Sequence, residues 1–277
     1  MSSHPRLGAF LILTSVIGVS ALAQGIPADN VLRDFHQIGD YILVVDGKEV
    51  PAAEIYQSER AGSAILVLSS AFPSPLLLSP RSNTVEAVNL MKVAKKRDGT
   101  VDLLADAVLA PQGALELSDE NVLFTIAGHK AALKPKPPLL GLRRAAEVTA
   151  HNPEYLTGIK AYTSNGPAIA ALKKERQPVT VRVYYGSWCP HCRMMVPHAL
   201  KIEQQLQGSK IRFEYFGLPQ NFSNDPAALK AGVKGVPTGI VFVNGKETGR
   251  IRDHAWSSPE SALRDILDGK GKAEAGK

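Results

Sequence analysis

Hydrophobic positions in the first half of the chain fall in short runs separated by turn residues. Tyr41–Val45 ends at Asp46-Gly47, a pair suited to the positive backbone angles of a two-residue hairpin, and residues 49–56 continue the pairing. Residues 64–69, 84–93, 101–105, 114–117, 122–127 and 130–133 are further strand candidates, with Asp98-Gly99 and Gly128-His129 as turns between them. Short strands at regular spacing predict a β-rich sandwich or barrel. Lys134-Pro135-Lys136-Pro137-Pro138 cannot sit in a central strand and reads as a stiff linker, followed by short helices over 142–150 and 153–161.

The pattern then changes period. Residues 167–174 read as a helix with Ile169 and Leu172 on one face, and Val179–Tyr185 as a buried, β-branched and aromatic strand. A helix over 194–207, a strand over 211–216 and a short helix at Pro226–Ala231 follow. Residues 240–243 and 247–251 pair around Asn244-Gly245, and Pro259–Leu267 closes the chain as an amphipathic helix. This order predicts an α/β domain with a central mixed sheet and helices on both faces. The expected division is a leader at 1–23, a β-rich domain at 24–134, a linker with short helices at 135–166, and the α/β domain at 167–277.

The leader rests on its own pattern. Arg6 precedes an uncharged stretch, residues 7–23, which ends in Ala21-Leu22-Ala23, the small-residue signature of a signal peptide cut before Gln24. Uncleaved, 17 residues would be at the short end of what spans a bilayer. No cysteine follows the run to take a lipid, and no second long apolar run appears. The expectation is a periplasmic or secreted protein, with an uncleaved anchor as the weaker alternative.

Composition narrows the class. At 277 residues, 44% hydrophobic and 21% charged, the chain is neither disordered nor fibrous. Residues 24–150 carry 13 Lys+Arg against 15 Asp+Glu, whereas 151–277 carry 18 against 11. The basic residues of the second half (Lys173, Lys174, Arg182, Arg212, Lys234, Arg252) are scattered rather than interleaved with aromatics, so nucleic acid is not the expected partner. They read as a solvated surface, or as a field that steers an acidic partner towards the site.

Two cysteines, Cys189 and Cys192, exclude a disulfide-dense scaffold and a four-thiolate metal centre. They lie in Trp188-Cys189-Pro190-His191-Cys192, between a strand and a helix. Spacing i, i+3 at a helix start puts both sulfurs on one face. The first sulfur then meets the unpaired amides and positive dipole end, which favour a thiolate. Pro190 is tolerated in the first turn, and a protonated His191 would add positive charge beside Cys189. Cys189 is therefore the expected nucleophile and Cys192 the resolving thiol. A passive disulfide closing so small a ring would stabilise little. A metal would need about two further ligands, for which His191 and His198 are the nearby candidates. Trp188 is expected to line the substrate surface.

Strand, Trp-Cys-x-x-Cys, helix, and then Val236-Pro237-Thr238 before a strand and an Asn-Gly turn resemble the thioredoxin superfamily over residues 179–268. The resemblance implies a thioredoxin-like fold, a cis Pro237 facing the dithiol, and Val236 as the residue whose backbone pairs with the substrate. Pro197 matches the proline kink of the family's active-site helix. The pair Pro190-His191 resembles the DsbA-like periplasmic oxidases, whereas Trp188 and the short link 209–232 resemble thioredoxin itself. No bound cofactor is implied; electrons pass between protein thiols and disulfides and a redox partner's dithiol. The family's buried carboxylate, six residues before the first cysteine, is Val183 here, with Tyr215 at the cross-strand position. Deprotonation of Cys192 is then left to water, or to Glu214 if it faces inward. Two function classes follow: an exported thiol–disulfide oxidoreductase, with a homodimer through the first domain as a possibility, or a redox-sensing binding or chaperone module whose first domain recognises a client.

Overall fold

The computed structural model describes residues 32–270, and the expected signal peptide lies outside them. The first twelve strands are β1 (His36–Gln37), β2 (Tyr41–Val45), β3 (Lys48–Glu49), β4 (Glu54–Ser58), β5 (Ala64–Leu68), β6 (Leu76–Ser79), β7 (Thr84–Val88), β8 (Val93–Lys95), β9 (Val101–Leu103), β10 (Leu109–Ser118), β11 (Asn121–Ile126) and β12 (His129–Pro135). Ten of them form one sheet in the order β1-β4-β5-β6-β7-β10-β11-β12-β2-β3, and β8 pairs with β9. β10 is the hinge of this sheet: it pairs with β7 and β11, and its β7 register shifts between Pro111 and Gly113. A bulge of this kind bends a strand and increases its twist.

The result is a curled sheet rather than two separate layers. Ile65, Val67, Leu76 and Leu78 from one half share a core with Leu43, Phe124 and Leu133 from the other. Their neighbours of opposite parity, Tyr56, Leu66 and Leu77, bury against Phe35, Val101 and Leu103. Strand β5 is therefore continuously apolar because both of its faces are covered. Each such aliphatic side chain contributes about 1.5–3 kcal/mol on burial.

The second sheet has the order β13-β15-β14-β16-β17. Its elements are β13 (Gly141–Arg143), α1 (Ala145–His151), α2 (Tyr155–Ala161), α3 (Gly166–Leu172), β14 (Val179–Tyr185), α4 (Pro190–Gln205), β15 (Ile211–Gly217), α5 (Pro226–Ala231), β16 (Thr238–Val243), β17 (Lys246–Ile251) and α6 (Pro259–Leu267). β14 and β15 are parallel, and Val183 lies opposite Tyr215. Cover is uneven. Val179, Val181, Val183 and Tyr185 pack with buried residues of α1, α2, α3, α4 and α6. Tyr184 and Ile240 point the other way and cluster with Ala228 of α5 and the loop residues Leu218 and Val233. Among the described residues, no helix is long and apolar enough to cross a membrane.

Several elements differ from expectation for identifiable reasons. Residues 141–161, read as linker, supply β13, α1 and α2 to the second core, with Val148, Tyr155 and Ile159 buried there. The helix expected from residue 142 begins at Ala145 because Gly141–Arg143 hydrogen-bonds to the edge of β15. β12 reaches Pro135, which pairs only with Tyr41, since β11 ends opposite Leu133 and no ladder bond needs the missing N–H. Strand β6, between Pro75 and Pro80, is absent from the expected set, and the strand expected over 84–93 stops at Val88 where Asn89 caps a single 3-10 turn.

Candidate active site: a thiol pair at the head of α4

Cys189 is the N-cap of α4, with an extended backbone, and Pro190 occupies the first helical position. The Cys192 amide donates to Cys189 Sγ at 3.4 Å, and the Gly186 amide donates to Cys192 Sγ at 3.4 Å. Both thiols are free. Cys189 retains 8% exposure while Cys192 is fully covered. Hydrogen bonding at Cys189 and burial at Cys192 set their acidities. A hydrogen bond from the Cys192 thiol, joined by the backbone amides of Cys192 and His191 and by the His191 charge, lowers Cys189 to about 6 against the effect of burial. Burial first, and then the Cys189 thiolate, push Cys192 far up. One sulfur is ionised near neutral pH and the other is held protonated, as attack followed by resolution requires.

The strand-to-helix turn is built around Trp188. Its indole N–H donates to Leu218 O at 2.9 Å, and its ring lies so close over Gly186 that a Cβ there would sit 2.5 Å from it. Across from the thiols, the Val236–Pro237 peptide is cis, and Val236 O lies 3.9 Å from Cys189 Sγ. Cys189, Val236 and Pro237 thus meet, while His191 stands exposed at the rim. Beside them is a cavity of about 280 Å³ whose lining includes His191, Lys234, Val236, Arg252 and Asp253. Its cations outnumber its single carboxylate.

Sequence reasoning missed the support of this loop. Trp256 is fully buried, and its indole N–H donates to Pro237 O at 2.9 Å. Thr238 Oγ1 donates to Gly235 O at 2.7 Å. Trp256 lies in a 3-10 turn, Asp253–Ser257, without periodicity, so no pattern marked it. His198, weighed above as a metal ligand, stacks on Tyr162 with centroids 3.8 Å apart and bonds to Trp256 O through Nδ1. Glu214 pairs with Arg182 at 2.8 Å on the sheet face away from Val183, so it is not a base for Cys192. Tyr215, opposite Val183, is fully buried and donates to Glu203 at 2.8 Å.

The first region also reaches the site. Arg193, directly after Cys192, holds both oxygens of Asp40, at 2.6 and 2.7 Å. A cleft of about 300 Å³ separates Asp40, Tyr41, Glu120 and Lys136 from Ser187 and Trp188.

A dithiol capping a helix, set against a cis-proline loop on a central mixed sheet, defines a thioredoxin-fold protein. The comparisons agree. The thioredoxin family profile matches residues 168–268. Thioredoxin Y, chloroplastic, of Oryza sativa subsp. japonica is 30% identical over 124 residues, covering 44% of this chain and 70% of that one. Thioredoxin M-type, chloroplastic, of Brassica napus is 25% identical over 173 residues, covering 61% and 92%. Protein disulfide-isomerase A5 of Bos taurus is 32% identical over 75 residues, which is 27% of this chain and 14% of that protein. The chain belongs to the thioredoxin family, whose members act on protein thiols and disulfides.

Proposed function

We propose that the protein is an exported thiol–disulfide oxidoreductase acting on protein substrates through Cys189 and Cys192. One observation carries the reading: an acidic, partly accessible thiol lies 3.9 Å from Val236 O beside a cis proline, with a fully covered thiol one turn deeper. The Cys189 thiolate attacks a substrate disulfide, forming a mixed disulfide and releasing one substrate thiolate. Deprotonated Cys192 then attacks Cys189 Sγ, closing the Cys189–Cys192 bond and releasing the second substrate thiolate. The substrate gains two electrons and the pair loses two; the reverse sequence oxidises a dithiol. Val236 and Pro237 dock the substrate strand, Trp188 borders it, and Pro190 and His191 tune the thiolate.

The lowered Cys189 pKa, about 6, stabilises the reduced pair but lies nearer thioredoxin, at ~7, than the DsbA-like oxidases, at ~3.5, so the DsbA-like reading rests on the Pro190-His191 pair. The cationic pocket beside Val236 supports substrates with acidic residues near the cysteine. Residues 7–23 and Ala21-Leu22-Ala23 support export, and the curled sheet is a candidate client-binding or dimerising region. The Asp40–Arg193 contact favours a second reading, a client-binding module whose grip follows the redox state of the dithiol.

Insulin-disulfide reduction with dithiothreitol as electron source tests the reading. We expect turnover by the wild type and loss of at least about a thousandfold in Cys189→Ser, since nucleophilic catalysis is removed outright. Turnover kept in that variant would overturn the oxidoreductase and favour the binding module.

A further inference from the structure

Six buried side-chain polar atoms among the described residues have no protein hydrogen-bond partner: Arg143 Nε, Asn152 Oδ1, Glu154 Oε2, Tyr155 Oη, Tyr185 Oη and Arg193 Nε. None belongs to the ten-stranded sheet. All lie on β13, the α1–α2 segment, or the residues flanking the dithiol loop. An unpaired buried polar atom costs about 1–3 kcal/mol, and the usual resolution is ordered water. Six such atoms, all on elements packed around the strand-to-helix turn that carries Cys192, call for ordered water to satisfy them.

Helix α2 runs alongside α4. Glu154 meets Arg193, a Cβ on Gly158 would press on Pro197, and Tyr162 stacks on His198. That register sets Tyr155 beside the turn that carries Cys192, and the two share one core cluster. The Glu154 side chain is 8% exposed. Its Oε1 accepts from Asn152 Nδ2 at 3.0 Å and lies 3.7 Å from Arg193 Nε. Its Oε2 is unpartnered, and a Cβ on Gly39 would lie 2.6 Å from it, so a side chain there would displace this oxygen from its present position.

Resolution requires a base, because Cys192 must lose its proton before it attacks, and neither Val183 nor Glu214 can take it. We propose that Glu154 is the proton acceptor for Cys192, reached through Tyr155 and water held by the unpaired hydroxyls of Tyr155 and Tyr185. The proposal rests on the exchange reading above. The Cys192 proton passes to water, the water protonates the Tyr155 oxygen as that hydroxyl gives its own proton to a second water, that water protonates Glu154, and the phenol is unchanged. Cys192 then attacks Cys189 Sγ and the substrate leaves as a thiolate.

The surroundings suit the role. Burial, with Asp40 adding to it, raises Glu154, while Asn152 and Arg193 act in the opposite sense. Burial, then the charges of Cys192 and Glu154, keep the Tyr155 phenol protonated, as a relay requires. Lys136 is the remaining cation that feels Glu154. A carboxyl raised in this way accepts a proton only above its elevated pKa, so resolution slows as pH falls through a value above the ordinary ~4.3.

An aromatic disulfide of 5-thio-2-nitrobenzoate separates the steps, since attack by Cys189 releases one coloured thiolate and resolution by Cys192 the second. In Glu154→Gln we expect the second phase to slow by about a hundredfold, within the range of general acid–base catalysis, and to lose its acid limb. The first phase stays within about twofold. Tyr155→Phe removes only a hydroxyl with no protein partner and slows the second phase by about tenfold; it decides the matter if Glu154→Gln does not fold. Second phases within about twofold of wild type, with the acid limb kept, overturn the assignment. A wild-type chain that releases no first thiolate overturns the exchange reading and this assignment with it.

Discussion

Among residues 32–135, the buried polar side chains are Ser58 and Thr100, and both are bonded: Ser58 Oγ to Arg33 O at 2.6 Å, Thr100 Oγ1 to Asp98 at 2.7 Å. The ion pairs of this region, such as Lys95–Glu54 and Arg60–Asp34, stand largely in solvent. The five-stranded sheet is built from the same kind of aliphatic side chains. Yet behind its strand-to-helix turn it buries a carboxylate, two phenols and a thiol whose proton affinity is pushed far from normal. Where every polar group is satisfied, the fold is doing the work of a scaffold. Where the rule is broken repeatedly within a few residues, stability has been traded for chemistry.

The contrast is sharpest for a core deletion in the satisfied region. Leu78 is fully buried in the curled sheet, and Leu78→Ala should cost about 2–5 kcal/mol in denaturant unfolding. The alkylation rate of Cys189 should not change. A parallel loss of thiol reactivity would show that the two regions form one cooperative unit. A smaller effect belongs to pH. Cys189 is lowered to about 6, so its thiolate is fully present at higher pH and is lost as pH falls through that value. Iodoacetamide alkylation should therefore level off above about pH 7 and fall about tenfold per unit well below 6. The same loss of thiolate removes its stabilisation of the reduced state at low pH. A profile centred near the ordinary thiol value of ~8.5 would remove the acidic-nucleophile argument. The smallest effect is expected at the seam. Asp40 and Arg193 are each about one-third exposed. Asp40→Asn should cost about 0.5–1 kcal/mol, less at high salt. A larger, salt-independent loss would mean that the seam is sealed more tightly than its exposure implies.

Local rules carried much of this fold. Tyr41–Val45, Val179–Tyr185, Pro226–Ala231 and Pro259–Leu267 are observed with the bounds that hydrophobic period and proline or Asx boundaries predict. The Cys-x-x-Cys spacing and the Val236–Pro237 pair mark the centre of the site because their chemistry is tied to adjacent residues. What escaped depends on long-range placement. Strand β13 is too short to show a period, β6 is masked by its flanking prolines, and the curl of the first sheet arises from a bulge in a strand that alternation marked only in part. Asp40, Glu154 and Trp256 act through contacts to residues far away in sequence, and nothing in their own neighbourhoods distinguishes them from surface or core residues.

The chain has two tryptophans, and both are at the site: Trp188 beside the thiols and Trp256 under the Pro237 loop. Neither lies in the curled sheet. Tryptophan fluorescence, excited selectively over tyrosine, is therefore an optical reporter confined to the dithiol and its docking loop, and redox titration or ligand docking can be followed without a label.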